Sequence, residues 1–139
     1  MNMDRFTTMA RQTLSTAQTL AIDSQHSELS PLHVLAAMLS DDKSIATDII
    51  EHAGRKPAAI SDVVDAALSR LPRVSSNTGY VPQTSPALIN VLNEARKLAA
   101  SMDDGYTSQE HLLLSLSDVP SPARDAILSV GLDIGSLRD

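Results

Sequence analysis

The chain has 139 residues, 42% of them hydrophobic, a net charge of −6 and no cysteine. That is enough apolar material for one compact soluble domain, and it leaves no disulfide framework, no apolar run long enough to span a bilayer, and no basic-then-apolar leader at the N-terminus. A cytoplasmic protein with no membrane partner is the expectation. The acidic balance, with Phe6, Tyr80 and Tyr106 as the only aromatics, supplies neither a phosphate-neutralising face nor a stacking platform, which argues against nucleic acid.

In chain order, Phe6, Ala10, Leu14, Ala17, Leu20 and Ala21 recur at helical spacing and predict a first helix over roughly residues 3 to 23. Ser30-Pro31 opens a second, since serine can cap a free N–H and proline presets φ where an N–H would be unpaired anyway; Leu32, Leu35, Ala36, Met38 and Leu39 follow. Ile45, Ile49, Ile50 and Ala53 make a third helix, closed by Gly54 in the left-handed role. Pro57 opens a fourth, carrying Ile60, Val63, Val64, Ala67, Leu68 and Leu71 until Pro72 stops it. Residues 72 to 84, rich in Ser, Asn and Gly between prolines, read as a surface linker.

The sequence then starts again. A shift of 78 residues sets Leu92 on Leu14, Ala95 on Ala17, Leu98 on Leu20, Ala99 on Ala21, Ser108 on Ser30, His111 on His33, Leu113 on Leu35 and Ile127 on Ile49. One residue of slippage sets Gly131 on Gly54 and Leu137 on Ile60. Core positions, a cap and a terminal glycine in one register indicate tandem duplication. The predicted fold is all-α: a pseudo-twofold repeat of a four-helix unit with about eight helices, forming a single domain over 1–139. Repeat one covers 3–71, the linker 72–84 and repeat two 85–139. Ser85-Pro86 and Ser121-Pro122 start helices in the second repeat, Gly105 ends one, and an eighth helix beginning near Asp133 is expected to be cut short at Asp139.

Asp4-Arg5-Phe6-Thr7, Ser30-Pro31-Leu32-His33 with its partner run Ser108 to Leu114, and Leu68-Ser69-Arg70-Leu71-Pro72-Arg73-Val74 resemble the Clp N-terminal domain, most closely the branch found in ClpB-type AAA+ disaggregases. The resemblance covers the whole chain. It implies a mobile domain at the entrance of a homohexameric, ATP-driven machine, where it engages unfolded or aggregated polypeptides and works with the DnaK system in the stress response. ATP and Mg belong, on this reading, to the parent's AAA+ domains, since this chain has no Gly-x-x-x-x-Gly-Lys-Ser/Thr loop. An excised domain and a standalone relative both remain open.

The resemblance also implies a substrate-peptide site comprising Thr7, Asp104 and Glu110. A hydroxyl and two carboxylates rimming an apolar groove can meet peptide N–H groups or basic side chains. The competing reading of Glu110 is as a cap, because Thr107-x-x-Glu110 has capping-box spacing. Leu88 and Leu92, on the first helix of repeat two, are candidates for the groove floor, against the plain alternative that both are core. Asp103-Asp104 reads either as an attractor of basic segments or as a solvated helix end.

No enzyme is expected, as no nucleophile stands at a convincing spacing from a base. The histidines His26, His33, His52 and His111 show no convergent three- or four-ligand spacing, so structural hydrogen bonds are expected of His33 and His111 rather than a metal. ClpC-like domains that read phosphoarginine carry an acidic residue before the histidine in both repeats. Here Glu110 precedes His111 but Leu32 precedes His33, so that mark is not expected to be the signal. The alternative to a substrate recruiter is an adaptor-docking or regulatory interaction module.

Overall fold

In a computed structural model, which describes residues 5–74 and 81–138, eight helices and two short strands succeed one another. They are α1 Thr8–Asp23, β1 Glu28–Leu29, α2 Pro31–Leu39, α3 Ile45–His52, α4 Pro57–Ser69, β2 Gln83–Thr84, α5 Pro86–Ser101, α6 Gln109–Asp118, α7 Pro122–Ser129 and α8 Ile134–Arg138.

The helix starts follow the serine and proline signals. Ser44, Ser85 and Ser121 each accept a hydrogen bond from the backbone N–H three residues on, and proline stands in the first turn of α2, α4, α5 and α7. The helix ends repeat as well. Gly54 and Gly131 both take left-handed φ, +87° and +85°, so that Arg55 N–H returns to the Ile50 carbonyl and Leu132 N–H to that of Ile127. Arg55 ties the two turns together, its Nε donating to the Val130 carbonyl at 2.8 Å.

Packing obeys the same pseudo-symmetry. α1 lies chiefly on α2 and α5 on α6; α3 crosses to pack on α6 and α7 crosses to pack on α2. The helices α2 and α6 thereby become the centre of the domain and are buried around nearly their whole circumference. Gln109, at the start of α6, is a buried polar tie between the halves: its Oε1 accepts from Ala46 N at 2.9 Å and its Nε2 donates to Thr13 Oγ1 at 2.9 Å.

Two features differ from the sequence expectation. The first helix begins at Thr8 rather than near residue 3, because the chain before it is extended: Thr7 N donates to the Thr107 carbonyl at 3.0 Å, and Thr107 N donates to that of Arg5. The backbone groups that would extend the helix are spent on this parallel bridge; Met1–Asp4 lie outside the described residues. Second, the segment read as linker contributes β2, whose Gln83 and Thr84 pair in parallel with Glu28 and Leu29, and Val74 N donates to the Gln25 carbonyl. Residues 75–80 of that segment lie outside the description. The two pairings are one motif seen twice, since the 78-residue shift carries Phe6 to Thr84 and Leu29 to Thr107.

Candidate functional site: a cleft beside Phe6 on α5

The bridge between Phe6 and Thr107 fixes where Phe6 goes. Its ring is 1% exposed and faces α5, whose residues 88, 91, 92, 95 and 99 form the buried stripe. Beside that stripe opens a cleft of about 320 Å³, lined by Phe6, Thr84, Ile89, Leu92, Asn93 and Arg96. Four of the six stand on α5 at i, i+3, i+4 and i+7, one helical face. Phe6 and Leu92 (3% exposed) make a dry floor, while Ile89 is 47% exposed and forms an apolar wall. A large aliphatic side chain half in water beside a preformed apolar floor is the kind of surface that takes up an apolar guest.

The residues nominated from sequence divide in two. Leu92 lines the cleft. Leu88, one turn earlier on the same helix, is fully buried and is not among the lining residues, so it anchors α5 to the core. Thr7, next to Phe6, is half-buried; its Oγ1 accepts from Ala10 N at 3.1 Å and caps α1, as its repeat counterpart Ser85 caps α5. Asp104 and Glu110 lie on either side of Thr107, which bridges to Phe6, and both are exposed.

Asp104 Oδ2 lies 2.9 Å from Nε2 of the buried His111. Nδ1 of that ring accepts from Ser108 N at 2.9 Å, so Nε2 carries the proton and donates to the carboxylate. Glu110 sits in the first turn of α6, where the helix dipole favours a carboxylate. It is not the capping residue: Ser108 is the N-cap and His111 the third helical residue, which reaches back to the Ser108 N–H. The Thr107–Glu110 capping box is therefore replaced by a serine–histidine box one residue later, and α2 has the same one from Ser30 and His33.

In repeat one the partner differs. His33 Nδ1 accepts from Ser30 N, so its Nε2 donates to His26 Nδ1 at 2.8 Å. His26 stands where repeat two has Asp104. Burial, followed by the neighbouring His26, pulls the His33 pKa down to about 4; burial and then Arg73 lower that of His26. Among the described residues, no group of three or more His, Cys, Asp or Glu could hold a metal ion and no helix is long and apolar enough to cross a membrane.

The sequence reading passed over Ile89, Asn93, Arg96 and Thr84. The available signal was an isoleucine one position off the core stripe of α5.

Residues 5–137 match the model of the Clp repeat (R) N-terminal domain. The chain belongs to that family. A Clp N-domain is an all-helical interaction module of AAA+ proteins rather than a catalytic domain. This one is 32% identical over 138 residues to the chaperone protein ClpB of Propionibacterium freudenreichii, covering 99% of the chain and 16% of that relative. To ClpB of Agrobacterium fabrum it is 36% identical over 128 residues, covering 92% of the chain and 14% of the relative. The chain thus spans a small N-domain-sized fraction of the curated relatives it matches. Among solved structures, the Hsp104 N-terminal domain from Candida albicans superposes with a TM-score of 0.85 at 24% identity, over 97% of this chain and 87% of that one. A ClpV N-domain in complex with a VipB peptide gives 0.72 at 22% identity, over 96% and 82%. At these identities the structures attest the Clp N-domain fold.

Proposed function

We propose that this Clp N-domain recruits substrates for a ClpB-like, ATP-dependent disaggregase, reversibly binding exposed apolar segments of unfolded or aggregated proteins in the cleft beside Phe6. The observation that carries this reading is the pairing of a dry Phe6–Leu92 floor with the half-exposed Ile89 wall. Thr7, Asp104 and Glu110 are then the polar surroundings of the Phe6–Thr107 bridge, available to the backbone or basic groups of a bound segment. Leu88 holds the helix that presents Leu92.

The size of the cleft limits the strength. Covering on the order of 100 Å² of apolar surface on each side gains about 5 kcal/mol gross, and association costs of similar size leave weak binding. Weak binding suits a module that must release what it captures. The parent's hexamer, its use of ATP and Mg, its cooperation with DnaK, its cytoplasmic location and its part in refolding after stress all belong to this proposal.

A second reading is favoured by the ClpV N-domain that is seen with a VipB peptide: the same surface docks one adaptor or partner segment. The two readings separate in a binding panel. A recruiter binds several unrelated unfolded chains weakly and loses them all on Ile89→Asp, a change at a half-exposed position that leaves the core intact. Tight binding of a single folded partner, with no measurable affinity for unfolded chains, contradicts recruitment and supports docking.

A further inference from the structure

The cleft is apolar along its floor and cationic at one end. Arg96 stands four residues beyond Leu92 on the same face of α5, one helical turn or about 6 Å away. Its guanidinium donates to the neutral side chain of Asn93, another lining residue. The ion pairs among the described residues are Lys97 with Glu94 and His111 with Asp104; neither engages Arg96. The nearest acidic residue in sequence, Glu94, is thus occupied by Lys97 at 3.4 Å. In a chain of net charge −6, the cation at this cleft is paired with no carboxylate among the described residues. Nor is the arrangement a duplicate: repeat one has Arg11 where repeat two has Ile89, and Gln18 where it has Arg96.

We propose that Arg96 is a specificity-determining residue, which makes the cleft prefer an apolar segment carrying an acidic side chain beside its anchor. Two residues of extended chain reach about 6.6 Å, so a Glu or Asp two positions from a side chain seated on Phe6 and Leu92 arrives at the Arg96 guanidinium. Arginine suits the task, as its planar fork can hold both oxygens of a carboxylate. The proposal rests on the cleft being the peptide site and adds to it a rule for which segments are held best.

The test uses three acetylated and amidated heptapeptides with a central Leu-Phe anchor and, two residues from it, Glu, Gln or Lys. Each is titrated calorimetrically and by amide NMR against the wild-type domain, Arg96→Gln and Arg96→Glu. The expected order for wild type is Glu over Gln over Lys, with about fivefold between the extremes at low salt, shrinking as salt is added. Arg96→Gln removes the order and Arg96→Glu inverts it. Peptides that shift the Ile89 and Leu92 amides with no charge order, or the same order in Arg96→Glu, overturn the role of Arg96 while leaving the cleft in place. If no peptide shifts those amides, the cleft reading itself falls and this proposal falls with it.

Discussion

His111 Nε2 sits 2.9 Å from Asp104 Oδ2, and at the equivalent place in the other repeat His33 Nε2 sits 2.8 Å from His26 Nδ1. Backbone, cap and ring orientation are the same in the two halves; even the left-handed residue just before the partner recurs, Gln25 at φ +61° and Asp103 at +58°. On one side the ring donates to a carboxylate, and on the other to a second imidazole.

That contrast predicts acid sensitivity seated in repeat one. His33 is fully buried with its pKa at about 4, against about 6.5 unfolded. Between those values the unfolded chain binds the extra proton. The stabilisation is therefore complete above pH 6.5 and is lost as pH falls toward 4, by at most about 3 kcal/mol. Urea denaturation at pH 7.5, 5.5 and 4.5 will show the loss. His26→Asp, which copies repeat two, will reduce it, and an unchanged pH dependence in that variant would refute the assignment.

Gln109 gives a second prediction. Gln109→Leu leaves the Ala46 N–H buried without an acceptor and the Thr13 hydroxyl without its donor, at a cost of about 1–3 kcal/mol. Denaturation will measure it, and hydrogen exchange will show the Ala46 amide losing protection beyond the global change.

The left-handed glycines give a third. A Cβ at Gly54 meets nothing within 4 Å and one at Gly131 meets the end of the Arg55 side chain at 3.1 Å, and both positions have positive φ. Gly54→Ala and Gly131→Ala should each cost about 1–2 kcal/mol from backbone strain. Gly105→Ala, with open space and no positive φ, should cost much less; equal costs at all three would show that the turns do not set the penalty.

Thr7 separates capping from binding. Thr7→Ala and Ser85→Ala each remove an N-cap and should lower stability by about 1 kcal/mol. On the recruitment reading Thr7→Ala alone also weakens binding of an unfolded chain, and Thr7→Ser restores both properties. Parallel effects of the two alanine variants on binding would reduce Thr7 to its cap.

The repeat register, the helix starts and the terminal glycines could be read from the chain because each rests on local chemistry: a serine hydroxyl, a proline ring, a left-handed φ. The paired strands could not. β1 and β2 have two residues each and Phe6 forms an isolated bridge, so alternation has no length in which to show. Glu110 had capping-box spacing from Thr107, but His111 fills that role by holding the Ser108 N–H. Leu88 and Leu92 belong to one helical stripe and look alike in sequence. What parts them is Phe6, brought over Leu92 by a contact with Thr107, 101 residues away, which no periodicity along α5 contains.

Whether unfolded chain occupies the cleft beside Phe6 can be read from an amide-resolved NMR titration of this domain with a permanently unfolded polypeptide, with a folded protein of the same size as control. Shifts are expected to cluster at Phe6, Thr7, Ile89, Leu92 and Arg96, extending to Asp104 and Glu110, for the unfolded chain alone. Shifts confined to another face, or the same shifts with the folded control, would contradict that occupancy.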